Sequence, residues 1–404
     1  MVFKSIFLVI ALAILVPFIY DRGQALFLFW KNAPHRLVKI NTFASHEIRF
    51  ADRIRSCEDA LLVESRGLAI LGCDPGRERW NTVMGVFLPE PVENGKLYIF
   101  DYKNAGASDD EALRQVEFVD FKFESDYHSL GMAYNESTST LFVASHRHDF
   151  PAIEMFKLDL TAYTATHLRS IQHSLIHGPN SIALVNDHEL FVTNNNYFLA
   201  RDNPILNKLE TNLGLAGGSV VHVDFSPVLK DPSASVQASI VARLAFANGI
   251  ELLNDTTVAV SSSARTKVHL FTLSHDVASS GAAPKLTRTS GFRVPFAPDN
   301  LSVSRDGALL IAGHPHIPSL GKFALTRHIC NAPDELAKAD AAMREVCATL
   351  SPPSWAARWT EAGGLESLYA DVEYPSSATA ARDSERGVGI IAGLYAKGIL
   401  VWRD

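Results

Sequence analysis

Six times along the chain, a turn built from Gly, Asn, Asp or Ser opens into a short run of apolar, β-favouring residues. These runs are "GLAILGCD" from Gly67, "STLFVASH" from Ser139, "HELFVTNN" from His188, "TTVAVSSS" from Thr256, "GALLIAGH" from Gly307 and "GVGIIAGL" from Gly387. A second run usually follows: "GKLYIFDY", "IEMFKLDL", "SVVHVDF", "KVHLFTL", "GKFALTR" and "KGILVW". Short stretches rich in Val, Ile, Leu and Phe and bounded by turn residues read as strands. Six hairpin-like copies at irregular spacing predict radial repetition, an all-β fold of the six-bladed β-propeller type. A β-sandwich or a pair of β-domains is the competing architecture. A chain of 404 residues suits one closed all-β unit.

Two segments fall outside the pattern and set the expected domain limits. Residues 1–30 form a hydrophobic signal peptide or signal-anchor, 31–56 a linker, and 57–404 the propeller. Within it, about 327–386 reads as a helical insertion or elaborated loop before the last blade. "MVFKSIFLVIALAILVPFIYDRG" has a lysine, an apolar run from Ser5 to Tyr20 and a charged break, the layout of a secretory signal or anchor. The remainder is therefore expected in the secretory pathway, membrane-anchored or extracellular, with a membrane or lipid surface as partner through the N-terminus. Four cysteines fit an oxidising compartment. Cys57 and Cys73 flank two strands joined at a turn, and Cys330 and Cys347 flank a helix-like stretch; three connectivities are open. Sequons at Asn135 and Asn254 suit surface turns of a glycoprotein, whereas the one at Asn300 lies in an apolar run. A net charge of −7 without a basic stripe excludes nucleic acid as a partner.

Within the apolar runs, some polar residues stand out. "FAPDNLSV" carries Asp299 and Asn300, "SCEDALLV" carries Glu58 and Asp59, "HGPNSIALV" carries Asn180, and "LAFANGIELL" carries Asn248. Each stretch lies just upstream of a turn-and-strand unit, at a similar point in its repeat. Singly, each could be a turn or a cap. Jointly, in a propeller, equivalent positions converge on the axis, and carboxylates with amide oxygens there would hold a hard cation such as calcium.

These residues carry a family resemblance. "NSIALVNDHELFVTNNNYF", "LGLAGGSVVHVDF", "FANGIELL", "APDNLSVSRDGALLIAGHP" and "SHRHDFPAIEMFKLDL" occur in the order found in the serum paraoxonase/arylesterase family. That family comprises calcium-dependent lactonases and esterases on six-bladed propellers. The resemblance runs from about Cys57 to Tyr395 and is weakest after Arg327. It implies that Glu58, Asn180, Asn248, Asp299 and Asn300 ligate a catalytic calcium. It also implies a second, structural calcium at Asp59, the Met132 carbonyl and an aspartate position that here is Ser181. The family's histidine pair maps onto His146 and, on alignment at Gly131, onto Leu130, with His128 two residues earlier. If the loop shifts, His128 substitutes; if not, proton transfer falls to Glu58 or Asp299. His314 matches a further histidine near the family's site. The family's long-range disulfide has no second cysteine here, which frees Cys57 for Cys73.

The reaction implied is hydrolysis of a lactone or aryl ester, in which the metal polarises the carbonyl and a base activates water. No G-x-S-x-G elbow and no H-E-x-x-H zinc signature competes with that reading. Two alternatives stand beside it: a sugar-lactone hydrolase, and a membrane-tethered binding scaffold that keeps only a structural calcium.

Overall fold

The computed structural model describes residues 2–104, 106–231, 233–274 and 283–404; the side chains of residues 2–12 and 14 lie outside that description. Six sheets of four or five strands follow one another, with a two-stranded ribbon, Trp80–Asn81 and Val86–Phe87, set apart. Each sheet starts with one strand of a set: Cys57–Val63, Ser129–Asn135, Pro179–Leu184, Ala247–Asn254, Ala297–Val303 and Ser377–Asp383. Each of these touches the next and the last touches the first, so they close a ring.

The hydrophobic core is divided among the interfaces between neighbouring sheets. Ile70 and Leu97 of the first sheet meet Leu141, Val143 and Phe156 of the second. Val388, Ile390 and Ile399 of the last sheet meet Ala69, Leu71 and Phe100 of the first. A fully buried side chain of this size stabilises by roughly 1.5–3 kcal/mol, so each interface holds its two sheets face to face. The second strand of each sheet is sandwiched on both faces: every residue of Leu68–Cys73, Thr140–Ser145, Leu309–His314 and Val388–Gly393 is buried. Burial on both faces replaces strict alternation with continuous apolar runs, and these are the six runs visible in the sequence.

Several expectations need correction. "GKFALTR" is not a strand: Ile317–Ala324 is a helix. Pro318 occupies its first turn, the His316 side chain caps it by accepting from the Ser319 amide, and Leu320, Phe323 and Ala324 form its buried face. The helical segment continues through Arg327–Cys330, Pro333–Lys338 and Ala341–Thr349. It lies inside the fifth sheet rather than between sheets, because Ser354–Thr360 pairs with Leu309–His314, and Gly364–Asp371 follows. The segment at 31–56 is more than a linker. Ile40–Asn41 pairs with Gly364–Asp371, and Ser45–Arg49 pairs with the C-terminal strand Ile399–Arg403. Two disulfides are present, Cys57–Cys73 across paired strands and Cys330–Cys347 across the helical segment.

The N-terminal helix, Val2–Lys31, docks its later turns on the fourth sheet. Asp21 meets Arg265 and Lys267 at 2.6 Å each and Arg293 at 2.5 Å. Burial would raise the Asp21 carboxyl, but hydrogen bonds from Lys267 and Arg265 and the charges of Lys267 and Arg293 outweigh it, lowering it to about 2. The apolar run read as an anchor, Ser5 to Tyr20, falls mostly on side chains outside the described residues. Among the described residues no helix is long and apolar enough to cross a membrane.

Candidate active site and metal centre

In all six innermost strands the pairing register slips near the start. The slips fall between Cys57 and Asp59, Ser129 and Met132, Pro179 and Ile182, Ala247 and Ile250, Pro298 and Leu301, and Ser377 and Thr379. A β-bulge leaves residues out of the ladder and re-aims their side chains. The residues so released are Glu58, Leu130 with Gly131, Asn180 with Ser181, Asn248 with Gly249, Asp299 with Asn300, and Ala378. All five residues expected at the catalytic cation are among them. Two glycines allow the strands to close in. A Cβ at Gly131 would lie 2.4 Å from the Asn180 carbonyl oxygen, and one at Gly249 would lie 2.5 Å from that of Asp299.

Glu58, Asn180, Asn248 and Asp299 line one cavity of about 560 Å³. Asn300 joins them by donating from Nδ2 to Glu58 Oε1 and to Thr379 Oγ1, both at 2.9 Å. With both amide hydrogens committed, its Oδ1 is left without a partner. Asn248 donates from Nδ2 to Ser263 Oγ at 3.0 Å, and its Oδ1 is also unpartnered. In all, Glu58 Oε2, Asn180 Oδ1, Asn248 Oδ1 and Asn300 Oδ1 are buried oxygens without a hydrogen bond. Burial first, then the charges of Asp59 and Asp299, pushes the Glu58 carboxyl well above its ordinary range. Each unsatisfied buried oxygen costs roughly 1–3 kcal/mol, and uncompensated buried carboxylates cost more. Acids and amides gathered in this way fit a hard, oxygen-seeking divalent cation.

The expected second cation position fits less well. Asp59 accepts from the Met132 amide at 2.7 Å, the Ala60 amide at 2.8 Å and the Thr379 hydroxyl at 3.0 Å. Met132 thus presents its N–H to Asp59, not its carbonyl. Ser181 Oγ accepts from the Ile250 amide at 3.4 Å. Three hydrogen-bond donors thus engage the Asp59 carboxylate, and Ser181 contributes only a neutral hydroxyl where the family has an aspartate.

The three histidines part company. His314 lines the cavity, with Nε2 2.9 Å from Asp299 Oδ2 and Nδ1 buried without a partner. His146 is buried outside the cavity lining: Nε2 contacts the Pro179 carbonyl at 2.5 Å, and Nδ1 contacts the Thr82 hydroxyl. Burial lowers it to about 4. His128 also stays outside the cavity, with Nδ1 3.2 Å from Asp74 Oδ1. The loop does not shift: the bulge puts Leu130 into the cavity wall where the family's histidine would stand. Of the titratable residues expected at the site, Glu58, Asp299 and His314 are the ones that line the cavity, where His316 joins them.

Other residues of the site were not foreseen. Arg22, Leu26 and Trp30 of the N-terminal helix line the same cavity, and Arg22 donates to the Ala264 carbonyl. The buried Arg77 donates to the Ser129 carbonyl and tempers the rise at Glu58. Thr379 Oγ1, in the sixth bulged strand, lies 2.9 Å from the Glu58 carbonyl oxygen. No local sequence signal marks any of them, since their partners are distant along the chain.

A ring of sheets whose bulged inner strands bring acids and amides to one cavity defines a propeller-type protein with an oxygen-lined centre. Two solved structures share the fold. A candidate gluconolactonase aligns at a TM-score of 0.50 and 14% identity, over 91% of this chain and 97% of its own. A luciferin-regenerating enzyme aligns at a TM-score of 0.50 and 11% identity, over 89% and 95%. The profile of the Arylesterase family matches residues 84–334, and the chain belongs to that family. Serum paraoxonase/arylesterase 1 of Homo sapiens is 26% identical over 233 residues, 56% of this chain and 59% of that protein. Serum paraoxonase/lactonase 3 of Oryctolagus cuniculus is 28% identical over 232 residues, 56% and 59%. The mouse serum paraoxonase/arylesterase 1 is 26% identical over 188 residues, 45% and 48%. The chain thus spans about half the length of the curated relatives it matches.

Proposed function

We propose that this protein is a calcium-dependent hydrolase of lactones or aryl esters, with its six sheets as the blades of a six-bladed propeller. The observation that carries the reading is the set of four buried, unpartnered oxygens of Glu58, Asn180, Asn248 and Asn300, beside Asp299 at the cavity. These five residues would hold the ion, which when bound would supply Lewis-acid polarisation of the substrate carbonyl. The chain's own residues do the rest. Asp299, 2.9 Å from His314, is the base that takes a proton from the attacking water. His314 holds Asp299 in place, and the proton taken from water passes through this pair to the departing alkoxide or phenoxide, leaving both side chains as they began. Leu26, Trp30, Val83 and Leu130 give the cavity apolar walls that suit an aryl or alkyl group.

The two disulfides support a secretory route. Leu15, Val16, Ile19, Tyr20, Leu26 and Phe27 are exposed on the N-terminal helix, which supports contact with a membrane or lipid surface. A second reading, a cation-stabilised binding module, draws on Leu130, which stands where the family's histidine would be.

The test is hydrolysis of a panel of aryl esters and lactones in calcium, after chelation, and with calcium restored. Turnover should vanish and return. A folded protein that binds calcium yet turns over no substrate would favour the binding module.

A further inference from the structure

Away from the cavity, two loops bring Asp126, His128 and His148 together, with their ligand-type atoms all within 4.8 Å of one another. Asp126 Oδ1 lies 2.5 Å from His148 Nδ1 and 3.7 Å from His128 Nε2. The far nitrogen of each imidazole faces a second carboxylate. His128 Nδ1 is 3.2 Å from the buried Asp74, and His148 Nε2 is 3.6 Å from Glu90. A carboxylate behind an imidazole holds the proton on that nitrogen and turns the other lone pair toward a metal. The arrangement is further fixed: Trp80 stacks on His148 at 3.9 Å, and the His148 amide donates to Asp126 Oδ2 at 3.0 Å.

We propose that Asp126, His128 and His148 form a zinc site. Two imidazole nitrogens and one carboxylate oxygen suit a borderline ion far better than calcium, which takes oxygen ligands. Zinc bonds of about 2.0–2.1 Å in tetrahedral geometry set ligand atoms roughly 3.3 Å apart. The distances of 2.5 and 3.7 Å bracket that spacing, and the third edge, between the two imidazole nitrogens, is within 4.8 Å. None of the three residues lines the large cavity, so the zinc would not act on its substrate. Its role is to clasp the turn Glu124–Asp126, just before the second innermost strand, to the loop that follows Thr140–Ser145.

The full chain in detergent, stripped of metal and resupplied with calcium, is titrated with zinc by calorimetry and with cobalt(II) by visible absorption. We expect one zinc per chain, and cobalt bands of a nitrogen-ligated, four-coordinate ion. Asp299→Ala should keep both signals. His148→Ala and Asp126→Asn should each weaken zinc at least 100-fold, and Asp74→Asn about 10–100-fold by loosening His128. Zinc binding that survives His148→Ala and Asp126→Asn unchanged, or a folded wild type that binds none, would overturn the site and leave a hydrogen-bonded Asp–His cluster. Either result is independent of whether the cavity hydrolyses esters.

Discussion

The centre of the ring and the rim of its second sheet both gather acids, but with different companions. At the centre Glu58 and Asp299 sit among amide oxygens, on strands packed into one ring. At the rim Asp126 sits between two imidazoles, on loops. Donor type separates the two: oxygen alone selects a hard cation, and nitrogen admits a borderline one. Scaffold separates them as well. The central groups are aimed by bulges that neighbouring strands hold in place, whereas the rim groups rely on one another, on Trp80 and on carboxylates behind them.

The comparison can be broken most strongly at Asp299. Asp299→Ala should lower ester hydrolysis by about 10³-fold or more, since on the proposed mechanism it removes both a ligand and the base; zinc binding at the rim should be untouched. His314→Gln should cost roughly 10²-fold in kcat and weaken calcium by about 10-fold or more, because His314 holds Asp299 in place. Glu58→Gln should act with opposite signs in two states. In chelator it removes repulsion among Glu58, Asp59 and Asp299 and raises Tm, whereas in calcium it forfeits most of the ion's stabilisation. A calcium series of melting curves reads both effects, and a variant destabilised in chelator would refute the repulsion argument.

A gentler probe is acid. Asp21 is held at about 2 against an ordinary 3.8, so its contribution to helix docking is complete above pH 3.8 and is lost as pH falls through about 2. Hydrogen exchange in residues 15–31 should rise over that window, and Asp21→Asn should show the same exposure at neutral pH. The smallest effect belongs to the rim: His148→Ala should change hydrolysis less than about twofold, because no rim residue reaches the cavity.

Much of this was legible in the sequence, for physical reasons. The second strand of every sheet is covered on both faces and so writes an unbroken apolar run. The central acids and amides interrupt such runs with groups that water would otherwise keep. What stayed hidden depends on geometry that short motifs do not encode. "SWAARWT" is a strand without β-branched residues except its last, and "SHEIR" is a charged edge strand, so neither announced itself. His128 looked like a substitute base because spacing cannot show that a bulge at Leu130 and Gly131 turns Leu130 inward and leaves His128 with Asp74. The N-terminal helix gave no hint of the cavity, since Asp21 finds Arg265 across 244 positions.

The pairing of Ser45–Arg49 with Ile399–Arg403 bears on how the chain is made as well as how it rests. Joining residues 350 or more positions apart incurs its loop-closure entropy late, and contacts of such long range slow folding. A ribosome delivering this chain in order releases five sheets before the strand that locks the sixth. Until then the exposed faces of the first and last sheets need shielding from one another's copies. The seam where beginning meets end is therefore the place where a nascent molecule is most open to domain exchange and to chaperone capture.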